Sequence, residues 1–301
     1  MKVTAAGTAF LLTLALLITW PGRAAAAVST APELCASSAH AGLAARISRG
    51  IETARHGRVS FVAVEVDDPG AGVVCQLDSA AHFDSASVVK VTILATLLRD
   101  AQAAHRSLTG TERALAWAMI TRSDNGAASA LWDEDGHTRL QHFLDAAGMT
   151  HTVLGPDGAW GLTRITAADE TRLLWLLLQP GQVLDTSSRD YALALMADVI
   201  PSQRWGTPAG APKSLVVHVK NGWLPLAPYG WRINSLGAFT GHGQKYSIVV
   251  LTQDNPSMGY GVDTVERIAE AVNRDLNPGA VARVPAAVIP RAQQTPDEKL
   301  P

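Results

Sequence analysis

The sequence predicts an α+β fold. An antiparallel sheet is built from both chain ends and flanked by helices, and an all-helical subdomain is inserted between its halves. Three observations carry this. Two strand-like runs, residues 58–66 and 73–77, enclose the turn chemistry Asp67-Asp68-Pro69-Gly70-Ala71-Gly72. A long stretch, 87 to about 178, then reads as helical. Three more strand-like runs, 214–219, 231–239 and 246–252, follow only after it.

The remaining elements fall into order around these. Residues 41–56 predict a helix before the first hairpin. Another covers about 187–200, a loop spans 201–212, and a last helix covers 262–276. The two end helices are expected to cover one face of the sheet, and clefts at such subdomain junctions are common ligand sites. The helical subdomain is placed at about 87–212 within a domain of 28–276. The tail 277–301 has five prolines and no apolar period, so it is expected to be disordered.

The chain starts with the marks of export. Lys2 gives a positive start, residues 9–20 are apolar, and Ala24-Ala25-Ala26-Ala27 offers small-residue cleavage sites. Residues 1–27 are therefore expected to be a signal peptide and the mature protein to be secreted. Cys35 follows Pro32-Glu33-Leu34, which does not suit a lipid-bearing cysteine. The run 173–178 is too short to span a bilayer and reads as buried helix. Two cysteines behind an export signal predict one bridge, Cys35–Cys75.

A net charge of −2 implies neither a nucleic acid nor a membrane surface as partner. Nine histidines show no zinc-binding spacing, so no metal and no cofactor is expected. No Gly-x-Ser-x-Gly elbow is present. A monomer acting on a small molecule is expected.

Three short strings carry the chemistry: Ser87-Val88-Val89-Lys90, Ser123-Asp124-Asn125 and Lys220-Asn221-Gly222. Residues i and i+3 share a helix face, so the Lys90 amine can reach the Ser87 hydroxyl. A serine hydroxyl is a weak nucleophile until a neighbouring base takes its proton. A lone Ser-x-x-Lys is expected by chance about once in a chain of this length. Read singly, the three strings are also an N-cap, a capping turn and an Asn-Gly turn.

Together and in this order they resemble the motifs of the class A β-lactamases and their relatives, the D-alanyl-D-alanine peptidases. The resemblance covers roughly 40–276. It includes Ala116-Met119-Ile120-Thr121 before the second string and the segment 143–149 after it. It implies Ser87 as nucleophile and Lys90 as general base or holder of the proton network. Ser123 would relay a proton to the leaving nitrogen, and Asn125 would hold Lys90 and the substrate amide. Lys220 would supply positive potential for a substrate carboxylate, and Gly222 would let the substrate approach the strand. The backbone N–H groups of Ser87 and Trp223 would form an oxyanion hole. Asn221 stands where the family usually has a hydroxyl residue. Arg232, expected beside Lys220, is either a carboxylate clamp or a surface arginine.

The pattern also fails beyond Asn221. Class A enzymes carry a glutamate that activates the deacylating water, and the segment 151–166 here contains none. Asp157, in Pro-Asp-Gly, is its one carboxylate and reads as a turn residue. The connection from Ser87 to Ser123 is also short for the family, which implies an open cleft. The resemblance thus implies a secreted serine hydrolase acylated by β-lactams or acyl-D-alanyl peptides, with slow deacylation. The alternatives are a hydrolase for another amide or ester, and an inactive relative that binds cell-wall peptide or a protein partner.

Overall fold

The computed structural model describes residues 34–226 and 230–287. The expected signal peptide, 1–27, lies outside them. The chain runs β1 (Cys35–Ser37), α1 (Ala41–Arg55), β2 (Phe61–Asp68), β3 (Val73–Leu77) and β4 (Phe83–Asp84). The helical half follows as α2 (Lys90–Ala103), α3 (Gly110–Thr121), α4 (Asn125–Ala147), α5 (Ala167–Leu178) and α6 (Thr186–Ala197), with β5 (Arg164–Ile165) between α4 and α5. The chain then returns as β6 (Val216–Pro225), β7 (Trp231–Gly241), β8 (Gln244–Asn255) and α7 (Met258–Leu276).

Six strands form one antiparallel sheet in the order β1-β3-β2-β8-β7-β6. The two chain ends join where β2 pairs with β8, from Phe61 opposite Gln253 to Asp67 opposite Ser247. The predicted architecture holds. Both faces of the sheet are covered, which is why β8 has lost the usual alternation. Tyr246, Ile248, Val249, Val250 and Leu251 are all fully buried. On one face α1 lies against α7 so closely that a Cβ on Gly50 would come within 3.0 Å of Ala271 Cβ. β7 divides its side chains in the ordinary way. Ile233 faces Gly261 of α7, and Asn234 faces the segment ahead of Ser87.

Local chemistry sets the helix boundaries. Thr109 and Glu112 form a reciprocal capping box at the start of α3. Asp124 caps α4, accepting from Ala127 N at 2.7 Å, and Gly148 ends it in the left-handed region. The apolar run 173–178 is α5, with Leu173, Leu174, Leu177 and Leu178 buried. Among the described residues no helix is long and apolar enough to cross a membrane.

Three details differ from the sequence reading. β1 was not anticipated; it is three residues long and pairs Cys35 directly with Cys75. The Cys35–Cys75 disulfide is present, as expected. β6 does not stop at 219 but continues through Lys220-Asn221-Gly222 to Pro225, paired with β7 along its whole length. The tail is not loose from 277 onward. Val284 exchanges backbone hydrogen bonds with Gly210 and Ala211, and Arg283 donates to Gly210 O at 2.8 Å. Proline content misled here, because the prolines space a segment whose other residues still find backbone partners. Residues 288–301 lie outside the described chain.

Candidate active site

Ser87 lies in one 3-10 turn, Ala86–Val89, from which α2 continues at Lys90. Ala86 enters that turn with φ of +49°, a conformation unfavourable for a residue with a Cβ. The surroundings hold it there. Asn234 Nδ2 donates to Asp84 O at 2.9 Å and Ser85 O at 3.1 Å, and its Oδ1 accepts from Thr252 N at 3.1 Å. Gly222 makes the other support possible. A Cβ there would lie 2.8 Å from Ser87 N and 2.8 Å from Ser85 O, so only glycine lets β6 lie against the serine turn. Nothing in a single sequence marked Asn234 except a polar residue in an apolar strand.

The second string forms the turn between α3 and α4. Ser123 also has a positive φ, +57°, which turns its side chain and carbonyl toward α2. Lys90 is fully buried and donates from Nζ to Ser123 O at 2.7 Å, Asn125 Oδ1 at 2.8 Å and Ser123 Oγ at 3.2 Å. From the opposite side Lys220 Nζ donates to the same Ser123 Oγ at 3.0 Å and to Asn221 O at 2.8 Å. Burial pushes the Lys220 ammonium down to about 7. The loop after α6 ties these parts together. Ile200 N donates to Thr121 O, and Gln203 Nε2 donates to Arg122 O at 2.9 Å.

Two expected substrate contacts are not placed for that role. β-Strand alternation puts Lys220 and Asn221 on opposite faces. Lys220 reaches the cleft side, whereas Asn221 Nδ2 donates to Gln203 O at 2.9 Å and Trp205 O at 2.8 Å. Both its amide protons are committed to that loop. Arg232 pairs across the hairpin with Leu224, and Lys220 pairs with Leu236, so Arg232 is not beside Lys220. Its Nε meets Asp84 Oδ2 at 3.0 Å, and its NH1 donates to Gly230 O at 3.3 Å. It is neither the proposed clamp nor a surface arginine, since it is 5 % exposed.

A narrow cleft opens over Ser87, Ser123 and Asn125, walled by Trp160 and Gly161 on one side and Trp223, Leu224 and Pro225 on the other. Trp160 was missed by sequence reasoning. Its Nε1 donates to Ser129 Oγ at 3.1 Å, and its ring centroid lies 4.7 Å from Lys90 Nζ. A cation that near an aromatic face is attracted to it. Trp160 comes from the segment in which the glutamate is absent. The Asp157 side chain lies outside the described residues. Among those residues no cluster of three or more His, Cys, Asp or Glu could hold a metal ion.

The sheet, the inserted helical half and the serine–lysine cluster at their junction define a β-lactamase-like protein. The family model described as the β-lactamase enzyme family matches residues 109–276, more than half of the chain, and the chain belongs to that family. The matched span begins after Ser87 and Lys90. A class A β-lactamase from Bacteroides cellulosilyticus superposes with a TM-score of 0.68 at 18 % identity, covering 77 % of this chain and 98 % of that one. PBP-A superposes with a TM-score of 0.66 at 18 % identity over 77 % and 96 % of the two chains. These two likenesses concern the fold. "Putative lipoprotein LppW" of Mycobacterium bovis and of Mycobacterium tuberculosis is 26 % identical over 196 residues, 63 % of this chain. The match spans 62 % of the length of those relatives.

Proposed function

We propose that the chain is an exported active-site-serine hydrolase whose Ser87 is acylated by β-lactams or acyl-D-alanyl peptides and is freed slowly. One observation carries the reading: Ser123 Oγ takes hydrogen bonds from both Lys90, at 3.2 Å, and Lys220, at 3.0 Å. A hydroxyl has two acceptor positions and one proton. With both acceptor positions filled, the Ser123 proton is left to point elsewhere, and Ser123 lines the cleft. That is the arrangement of a proton donor to a leaving nitrogen.

In this mechanism Ser87 Oγ attacks the carbonyl carbon of the acyl donor. Its proton passes into the Lys90–Ser123 network. Ser123 delivers a proton to the leaving nitrogen as the carbon–nitrogen bond breaks, and it is replenished from the network. The acyl group remains on Ser87 as an ester. Backbone N–H groups of Ser87 and Trp223 would stabilise the developing oxyanion, each worth about 10²–10³ in rate. Release of the ester needs a water and a base. The segment 151–166 offers no glutamate, and Trp160 stands over Lys90. Export is supported by the Cys35–Cys75 disulfide and by a relative described as a lipoprotein.

Labelling with a fluorescent penicillin tests the assignment. The wild type takes the label and Ser87→Ala does not. Equal labelling of the two would remove Ser87 from the mechanism.

A further inference from the structure

Lys220 and Arg232, the two groups that the sequence offered to a substrate carboxylate, are buried and hold other partners, and Asn221 beside Lys220 is turned away. Lys220 is 1 % exposed and donates to Ser123 Oγ and Asn221 O. The Asn221 amide is spent on Gln203 O and Trp205 O. Arg232 is held by Asp84, whose other oxygen lies 3.8 Å from Arg164 Nε. None of the described residues that line the cleft is charged, and its walls are the apolar or aromatic residues Trp160, Trp223, Leu224 and Pro225. Residues 227–229 are alanine, proline and tyrosine in the sequence and bring no cation.

We propose that this cleft selects acyl donors whose leaving side carries no free carboxylate, such as an ester or an amide that continues the peptide. The proposal rests on the serine acyl-transfer reading and changes its preferred donors from the carboxylate-bearing β-lactams and acyl-D-alanyl peptides to forms in which that carboxylate is esterified or amidated. A carboxylate entering between these walls would shed its hydration and meet no cation among the described cleft residues in return, with Lys220 and Arg232 both buried behind them. A neutral ester or amide sheds far less and still presents the same carbonyl to Ser87. At neutral pH the buried Lys220 amine is also close to its midpoint, which further weakens the positive field behind Ser123. The covalent step is unchanged. The Ser87 Oγ–carbon bond forms, the carbon–nitrogen bond breaks, and the proton of Ser87 is balanced by the one that reaches the leaving nitrogen.

A matched pair of probes tests this on the full mature chain: benzylpenicillin and its methyl ester. Acylation of Ser87 is followed by intact-mass spectrometry, with Ser87→Ala as control. Each rate is divided by that probe's rate of alkaline hydrolysis, which removes the difference in intrinsic reactivity. The proposal expects the ester to acylate at least as fast as the carboxylate form after this correction. A tenfold or greater preference for the carboxylate form overturns the proposal and leaves the serine reading standing. Absence of a Ser87 adduct with both probes overturns the serine reading and the proposal with it.

Discussion

Lys220 and Ser123 are 97 residues apart in the chain, and their side chains meet at 3.0 Å. β6 carries the lysine, and the turn between α3 and α4 carries the serine. Their meeting is enforced from behind. Gln203 donates to Arg122 O beside that turn, and Gln203 O accepts from Asn221 on β6. A site divided between a sheet and a helical subdomain is thus locked by contacts outside the cleft.

The lock predicts what Asn221 is for. Asn221→Ala leaves two buried carbonyls, Gln203 O and Trp205 O, without that donor. It should destabilise the fold by about 1–3 kcal/mol. Urea denaturation measures this. Unchanged stability with a raised KM for acyl donors would instead return Asn221 to substrate binding.

Gly222→Ala tests the seat of Ser87. The added Cβ would lie 2.8 Å from Ser87 N and from Ser85 O, both main-chain atoms that cannot swing aside. Overpacking should cost about 1–3 kcal/mol. Displacing Ser87 by even a fraction of an ångström should slow acylation by about tenfold or more. Thermal melts and penicillin-labelling rates read the two effects separately.

The buried Lys220 makes a pH prediction. Its pKa falls from 10.5 to about 7 on folding, and burial is the cause. Between about pH 7 and 10.5 the unfolded chain therefore binds more protons at this residue than the folded one. Stability from this group rises with pH across that window and is flat below it. Against Lys220→Met, which does not titrate, the wild type should gain about 1–3 kcal/mol between pH 7 and pH 9. Denaturation at the two pH values measures the difference. A gain shared equally by the variant would assign it to other groups.

The disulfide links positions 40 residues apart. Replacing both cysteines by serine should cost about 4 kcal/mol in the chain-entropy model. Guanidinium unfolding of the double variant, with its slope checked against wild type, gives the value.

Much of the fold was legible because periodicity and turn chemistry are local. The 73–77 strand and the apolar helix after Ser87 were read correctly, whereas the strand read as 58–66 is Phe61–Asp68, so that Asp67 and Asp68, read as turn, are its last paired residues. The end of β6 was not, because Asn-Gly is a frequent turn signal. Here Gly222 serves close packing on Ser87 and not chain reversal. The candidate residues Ser87, Lys90, Ser123, Asn125 and Lys220 were picked out from three strings, and the fold brings them together. Asn221 was misassigned because the string was read as a unit, whereas alternation turns it to the other face. The fate of Arg232 depended on Asp84, 148 residues away, that of Asn234 on the same residue, 150 away, and the role of Trp160 on Lys90, in a separate helix. Nothing local reports such pairings.

The central claim is a covalent one, that Ser87 is acylated and then held. Intact-mass spectrometry of the protein after mixing with a penicillin, followed over time, tests it most directly. With no glutamate in the segment 151–166, deacylation should be slower by about 10²–10⁴ than in an enzyme with a positioned base there. The account predicts a single adduct of the penicillin's mass that forms on the wild type, persists and is absent from Ser87→Ala. No adduct together with no penicillin consumed, or an adduct that also appears on Ser87→Ala, would contradict it.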